Sequence, residues 1–233
     1  MGLPKIDQPL FTLTLPSTGK EIKYRPFTVK EEKILLIAQE SDEVDQALTA
    51  VKQVVNNCLI DIDVDKLAMF DLEYILLNLR SKSVDNNITF SIQDPDTEEK
   101  IQLEMDLNEV SISWPENHTN QIKINDDYIL IMRYPSVNEF FILVKEGIEN
   151  HHANFEIMMN CMDQLVSEDE VYKFEDFEDK EIESFIDSLT SDIIHKIKNF
   201  FETMPKLRHE IPYTNSDGKK QTFVIEGVQT FFI

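Results

Sequence analysis

The residues able to do chemistry are numerous but poorly gathered. Asp61, Asp63 and Asp65 alternate with apolar residues, the spacing that opens an oxygen-ligand calcium loop, yet Lys66 and Leu72 stand where that loop needs its glycine and closing glutamate. The three aspartates therefore read as a loop with helix-capping carboxylates. His151 and His152 are adjacent in a helical stretch. Neighbouring helical side chains point in different directions, and Cys161 falls too far round to complete a ligand set. The two cysteines, Cys58 and Cys161, are far apart, and each sits on an apolar helical face. They are expected to be buried free thiols, as suits a reducing cytoplasm. Five glycines in 233 residues leave no phosphate-cradling loop, and no serine lies in a nucleophile elbow. The five histidines are scattered and read as exposed or structural. With 44 carboxylates, some pair could always be proposed as acid and base, and such a pair means nothing without geometry. The expectation is a protein that is not an enzyme and that holds no metal and no cofactor, with a carboxylate-based hydrolase as the rival.

Charge narrows the partners. Lysine and arginine number 22 against the 44 acids, a formal charge of −22. Such a field repels nucleic acid and anionic membranes and steers toward basic protein surfaces. Two basic clusters, Lys20, Lys23, Arg25, Lys30 and Lys33, and Lys196, Lys198, Lys206 and Arg208, read as solvated faces or contacts to acidic protein. No apolar run approaches the ~20 residues of a membrane span. Met1–Leu10 lacks the apolar core of a signal peptide. The location expected is the cytoplasm.

Elements that would position these residues follow from periodicity. Leu72, Ile75, Leu76 and Leu79 form one apolar helical stripe within Asp71–Val84, with Asp71 placed to cap it and Arg80 and Lys82 at its negative end. Alternation predicts hairpins around Pro16–Lys20, around Asp94–Thr97, between Ile122 and Met132, and around Asn215–Gly218. The unbroken apolar run Tyr128–Met132 predicts a strand covered on both faces. Capping boxes at Thr28–Glu31 and Ser136–Glu139 open helices, the first burying Ile34, Leu35, Ile37 and Ala38. A break at Ser41-Asp42 precedes a helix carrying Val44 to Cys58. Met158, Met159 and Met162 make a core stripe or an adaptable groove. The acidic stretch Ser167–Asp179 carries Tyr172, Phe174 and Phe177 under a charged surface; Ile182, Phe185, Ile186 and Leu189 follow on a buried helical face, and Ser191 caps the last helix.

These elements define an α+β fold, antiparallel β-hairpins packed with helical hairpins. A weak seam near 147–153 divides residues 1–150, mixed hairpin and helix, from 151–233, helical with a closing hairpin; a single domain is the alternative. The first and last hairpins, 10–27 and 206–225, share a layout but are too diverged to be called a repeat. The apolar stretch Val228–Ile233, with Phe231 and Phe232, either docks on its own core or inserts into a partner.

Several stretches together resemble a known family. They are Leu13-Thr-Leu-Pro-Ser, Lys23-Tyr-Arg-Pro-Phe-Thr-Val-Lys-Glu-Glu-Lys-Ile-Leu-Leu, Phe70-Asp-Leu-Glu-Tyr-Ile-Leu-Leu-Asn-Leu-Arg-Ser-Lys-Ser-Val, and Phe200-Phe-Glu-Thr-Met-Pro-Lys-Leu-Arg-His, closed by Glu226-Gly and Phe231-Phe232. The pattern resembles the baseplate hub proteins of T-even-type contractile-tailed bacteriophages. The resemblance implies action in baseplate hub assembly by protein–protein contact, as a transient chaperone or as a hub subunit. It also implies a place in the infected bacterial cytoplasm or in the virion tail baseplate. Other hub proteins and tape-measure proteins are the partners it implies, with self-association open. The contact residues expected on these stretches are Arg80, Lys82, Met204, Lys206, Arg208, Phe231 and Phe232. A generic acidic scaffold unrelated to phage tails is the remaining alternative.

Overall fold

The computed structural model describes residues 6–39, 44–83, 86–146 and 151–227. Its contacts gather into two units, residues 1–113 with 206–233 and residues 114–205. All four expected hairpins form, and the class is α+β with antiparallel sheets.

In the first unit β1 (Phe11–Thr14) and β2 (Glu21–Tyr24) make a hairpin, Phe11 opposite Tyr24. Period-two alternation turns Leu13, Ile22 and Tyr24 inward, where all three are buried. Gly19, at φ 69°, takes the left-handed turn position that a side chain would strain. Helices α1 (Val29–Gln39) and α2 (Val44–Cys58) follow, and β3 (Leu59–Ile60) returns to pair with β2. A 3-10 turn (Val64–Lys66) leads into α3 (Met69–Ser83). Leu72, Ile75, Leu76 and Leu79 of α3 are wholly buried. Each contributes up to about 1.5–3 kcal/mol of apolar burial.

The same unit then forms β4 (Asn87–Gln93) with β5 (Lys100–Asp106), and a sheet in which β11 (Lys206–Thr214) lies between β6 (Ser111–Ser113) and β12 (Lys220–Glu226). Ile88, Ile92, Leu103, Leu207, Ile211 and Ile225 share one core there. β6 pairs antiparallel with β11, Ser113 opposite Lys206. The second unit is therefore an insertion between two paired strands. That is why the contacts divide the chain at 113/114 and 205/206, whereas the composition shift lies near 150.

Within the second unit β7 (Gln121–Lys123) and β8 (Ile129–Met132) form a hairpin, followed by α4 (Val137–Glu146) and α5 (His151–Asn160). β9 (Met162–Val166) pairs with β8, and β10 (Val171–Lys173) extends the sheet. A 3-10 turn (Phe174–Asp176), α6 (Asp179–Asp187) and α7 (Ser191–Glu202) complete it. Leu130, Met132, Met158, Met162, Ile197 and Phe200 centre its core, so the methionine stripe is core packing.

Both units open on one plan: hairpin, helix, helix, a short strand returning to the hairpin, a 3-10 turn and a helix. The residues at its joint match. Arg25 and Arg133 end the second hairpin strand, and each donates its backbone N–H to a cysteine carbonyl, Cys58 at 3.0 Å and Cys161 at 2.8 Å. Each guanidinium then grips the third residue of the following helix. Arg25 reaches Glu31 at 3.1 Å, and Arg133 holds Glu139 with two bonds of 2.7 and 2.9 Å. Each glutamate also accepts from the backbone N–H of its capping residue, Thr28 at 2.9 Å and Ser136 at 2.7 Å. The apolar stripes align as well, Leu72, Ile75, Leu76 and Leu79 against Ile182, Phe185, Ile186 and Leu189. The matching copies are thus not the first and last hairpins that share a layout in the sequence.

Several local expectations are corrected. Asp71 caps α3 from within rather than ahead of it: the helix begins at Met69, and the Asp71 carboxylate accepts from the Ala68 backbone N–H and also reaches the β1–β2 turn, accepting from the Ser17 backbone N–H at 2.9 Å and from the Ser17 hydroxyl. Ile37 is 70% exposed rather than buried. β8 is covered on one face only, with Ile129 40% exposed. Thr190, not Ser191, caps α7. Asp63 caps its 3-10 turn by accepting from the Asp65 N–H at 3.1 Å, while Asp65 pairs with Lys52, so two of the three aspartates are engaged internally. Val84, Ser41-Asp42 and the stretch 228–233 lie outside the described residues.

Glu31 shows how strongly the joint is held. Burial pushes its carboxyl up, but the hydrogen bonds from Arg25 and Thr28 outweigh this and hold it at about 2. Its folded value lies below its unfolded one, so its contribution to stability is complete above about pH 5 and is lost as pH falls toward 2. Breaking a buried ion pair costs ~3–5 kcal/mol. The Arg25 side chain keeps 24% exposure, so Glu31→Gln is expected to cost about 2–3 kcal/mol. Glu139→Gln, whose arginine is 40% exposed, should cost less. Urea unfolding at neutral pH checks both, and the Glu31→Gln protein should lose the Glu31 share of the acid sensitivity between pH 4 and 2 while keeping that of Asp94.

Candidate interaction surface

Buried polar groups are where a reaction centre would be sought; the buried carboxylates have structural partners, while the buried side-chain oxygen of Asn86 has no hydrogen-bond partner among the described residues. Asp94 closes the β4–β5 turn, accepting from the N–H groups of Asp96 and Thr97 and from the Tyr213 hydroxyl at 2.8 Å. Burial raises its carboxyl, but these donors, the Tyr213 hydroxyl foremost, hold it at about 2. Glu73 accepts from the Leu207 N–H at 3.3 Å. Burial pushes the thiols of Cys58 and Cys161 up, to about 11 and about 12, so both stay protonated and inert.

His118 is the one imidazole set among hydroxyls. Its Nδ1 lies 3.0 Å from the Thr203 hydroxyl and its Nε2 2.9 Å from the Tyr134 hydroxyl. Thr203 donates its own proton to the Asn199 carbonyl at 2.7 Å, so it must accept from Nδ1–H, and Tyr134 then donates to Nε2. The ring is neutral and packs with Tyr134 and Phe200 in a cluster of three rings mutually 5.4–5.7 Å apart, and burial lowers its pKa. Thr203 is not activated, because its proton points away from the imidazole. Among the described residues no group of three or more metal-ligating side chains converges, and no helix is long and apolar enough to cross a membrane.

Of the contact residues expected from sequence, Arg80, Lys82, Lys206 and Arg208 lie in the first unit and Met204 in the second. Arg80 and Lys82 sit in the last turn of α3. Arg80 is half-buried, and burial lowers its pKa, while Lys82 is exposed with its Nζ 6.0 Å from the centre of the Phe11 ring. Lys206 and Arg208 share the exposed face of β11, paired with Glu226 and Glu210 at 2.7 Å each. Met204 belongs to the second unit and packs half-buried against its core. Phe231 and Phe232 lie outside the described residues.

Sequence reading missed a groove in the second unit, about 550 Å³ in volume. Its walls are the β7–β8 turn through Tyr128, strands β9 and β10 through Leu165 and Tyr172, the 3-10 turn through Phe174, and the α6 face through Ile182 and Phe185. Phe177 opens onto it at 41% exposure. The sequence places Ile182, Phe185 and Leu189 inside a core with Ile186; only Ile186 is buried, and the others are half-buried along the groove.

The two copies differ at this face. In the first unit Ser17 of the hairpin turn binds Asp71, and the helix face beyond is sealed. The position matching Asp71 is Glu181, whose carboxylate accepts from the Glu178 N–H at 3.1 Å, within its own capping box. The extra strand β10 precedes the 3-10 turn, and α6 has nine residues against the fifteen of α3. On the shorter helix Ile182, Phe185 and Leu189 pack against the core yet stay half-buried, where the stripe of α3 is sealed. The aligned stripes at 72–79 and 182–189 have one spacing, so no local signal in the sequence marks the second as more open.

These features define a two-unit α+β protein with a repeated hairpin–helix plan and an apolar groove set in an acidic surface. The sequence model of the family described as T4 bacteriophage base plate protein matches residues 8–233. The chain belongs to that family, and is a T4-type phage baseplate protein. No curated protein and no solved structure matches it.

The His118 network gives a pH prediction. The folded ring binds its proton less readily than the unfolded one, so the folded state holds fewer protons below about 6.5, and stability must fall as pH drops through that value. Urea midpoints at pH 7 and pH 5.5 measure the loss. His118→Phe, which keeps a ring packed with Tyr134 and Phe200, should flatten this part of the profile.

Proposed function

We infer that this protein acts in assembly of the baseplate hub by binding other hub or tape-measure proteins, and that it works by contact rather than by turnover. The observation that carries this reading is the family match, which spans residues 8–233 and so includes both units. The hub role within the baseplate rests on the stretches that resemble hub proteins, which lie along α1, α3 and the α7–β11 passage. Buried carboxylates, thiols and the imidazole are all committed to internal hydrogen bonds or burial, which favours a contact protein. A net charge of −22 suits partners with basic surfaces.

A transient assembly factor and a permanent hub subunit both fit. The second gains weight from Val29, Leu36 and Ile37, at 64%, 54% and 70% exposure along α1, an apolar face that a lasting interface would cover. Mass spectrometry of purified virions separates the two: a fixed stoichiometric copy number marks a subunit, and absence from virions with presence in hub intermediates marks an assembly factor. Co-expression with hub and tape-measure proteins should give a stable co-purifying complex. A chain that co-purifies with neither, and is absent from both virions and intermediates, would sink the hub reading.

A further inference from the structure

We propose that the groove of the second unit is the docking site for a basic, apolar-anchored segment of a partner baseplate protein: a helix or extended peptide presenting leucine or aromatic side chains flanked by lysine or arginine. This rests on the reading that the chain acts by protein contact.

The apolar half of the argument is the comparison of the two copies. One plan is built twice, and in the first unit the stripe Leu72, Ile75, Leu76 and Leu79 is sealed, with Ser17 and Asp71 tying turn to helix. In the second unit the corresponding stripe lines an open groove, and Tyr172, Phe174 and Phe177 add aromatic surface to it. Folding alone would favour covering these side chains, as the first unit does. Keeping them half-open at a site of about 550 Å³, large enough for two or three apolar side chains, marks a place that something else fills.

The charged half selects the occupant. Residues 168–187, which supply half of the wall residues, carry ten acids against Lys173 and Lys180. The exposed Asp126 and Asp127 flank the wall residue Tyr128, and the exposed Glu175 and Asp176 lie between the wall residues Phe174 and Phe177. An acidic rim around an apolar floor repels a second copy of this acidic chain and attracts a cationic peptide. The stretch 228–233 of this chain carries no basic residue and gains nothing from that rim.

Two synthetic peptides with one leucine pattern, one with lysine and arginine between the leucines and one with glutamate, test the assignment by fluorescence anisotropy against the full chain. The basic peptide should bind at least tenfold tighter than the acidic one. Its binding should weaken as sodium chloride rises from about 0.05 to about 0.5 M. Phe177→Ser, at a half-exposed position that does not hold the core, should weaken it about tenfold or more. Asp127→Lys with Asp176→Lys should weaken the basic peptide and improve the acidic one. Equal binding of both peptides, no binding, or indifference to Phe177→Ser overturns the proposal. Binding that appears only after residues 228–233 are deleted assigns the groove to the chain's own tail and also overturns it, as does a dimer in sedimentation that Phe177→Ser dissolves. A chain that enters hub complexes normally yet ignores the basic peptide refutes the groove assignment alone. Failure to enter those complexes, with peptide binding intact, refutes the hub reading instead.

Discussion

The arginine–glutamate fork is the interaction around which each unit is built. A hairpin strand, the start of one helix and the end of the next must meet at one point, and each brings unsatisfied polar groups. Arg25 and Arg133 answer several of these at once. The backbone N–H takes the carbonyl of the cysteine at the end of the second helix, while the planar guanidinium binds the glutamate that caps the first. Lysine could not do this, because it offers a point charge rather than a fork. The buried thiol beside each fork is a small apolar filler, and its raised pKa keeps a second anion away from the glutamate.

With the joint fixed in both copies, the differences between them lie at its margins. The first copy closes its hairpin turn onto α3 through Ser17 and Asp71. Burying Asp71 raises its pKa despite these bonds, so the closure runs against a desolvation cost. In the second copy Glu181 caps its own helix, β10 is added, and the stripe on α6 stays half-buried. One sealed and one open version of the same packing fits a division of labour in which one copy supplies stability and the other a surface. The long apolar stripe of α3 permits this, because it shares the first unit with a second core formed by β4, β5, β6, β11 and β12.

Much of this architecture was legible in the sequence, and what was not has identifiable causes. The hairpins were read from period-two alternation with turn residues, and both capping boxes from their spacing, because these signals are local. The inward face of β8 was misjudged, since an unbroken apolar run carries no sign of which face meets solvent; Ile129 does. Asp71 reads as a cap from its place before a helical stripe, and it does accept from the Ala68 N–H; its second tie, to Ser17, is a tertiary contact that no local signal shows. The repeat went unseen because its signature is seven residues, Arg-x-x-Ser/Thr-Val-x-Glu at 25–31 and 133–139, within otherwise unlike segments. The groove was hidden for a related reason. Stripes of the same spacing at 72–79 and 182–189 predict the same burial, and whether an element arrives to cover them is a long-range fact.

Insertion of the second unit has an energetic consequence for the first. β6 and β11 pair, with Ser113 opposite Lys206, across the whole of residues 114–205. Closing an unstructured loop of roughly 90 residues to form that ladder would cost about 4 kcal/mol of chain entropy. When the inserted unit is folded and its two ends already lie together, most of this cost falls on its own folding, which its separate core supports. The short ladder between β6 and β11 could not offset such a cost alone, since it holds three residue pairs. The pairing of β6 with β11 therefore depends on the second unit being folded, whereas the β11–β12 hairpin, with seven residue pairs joined by a short turn, does not.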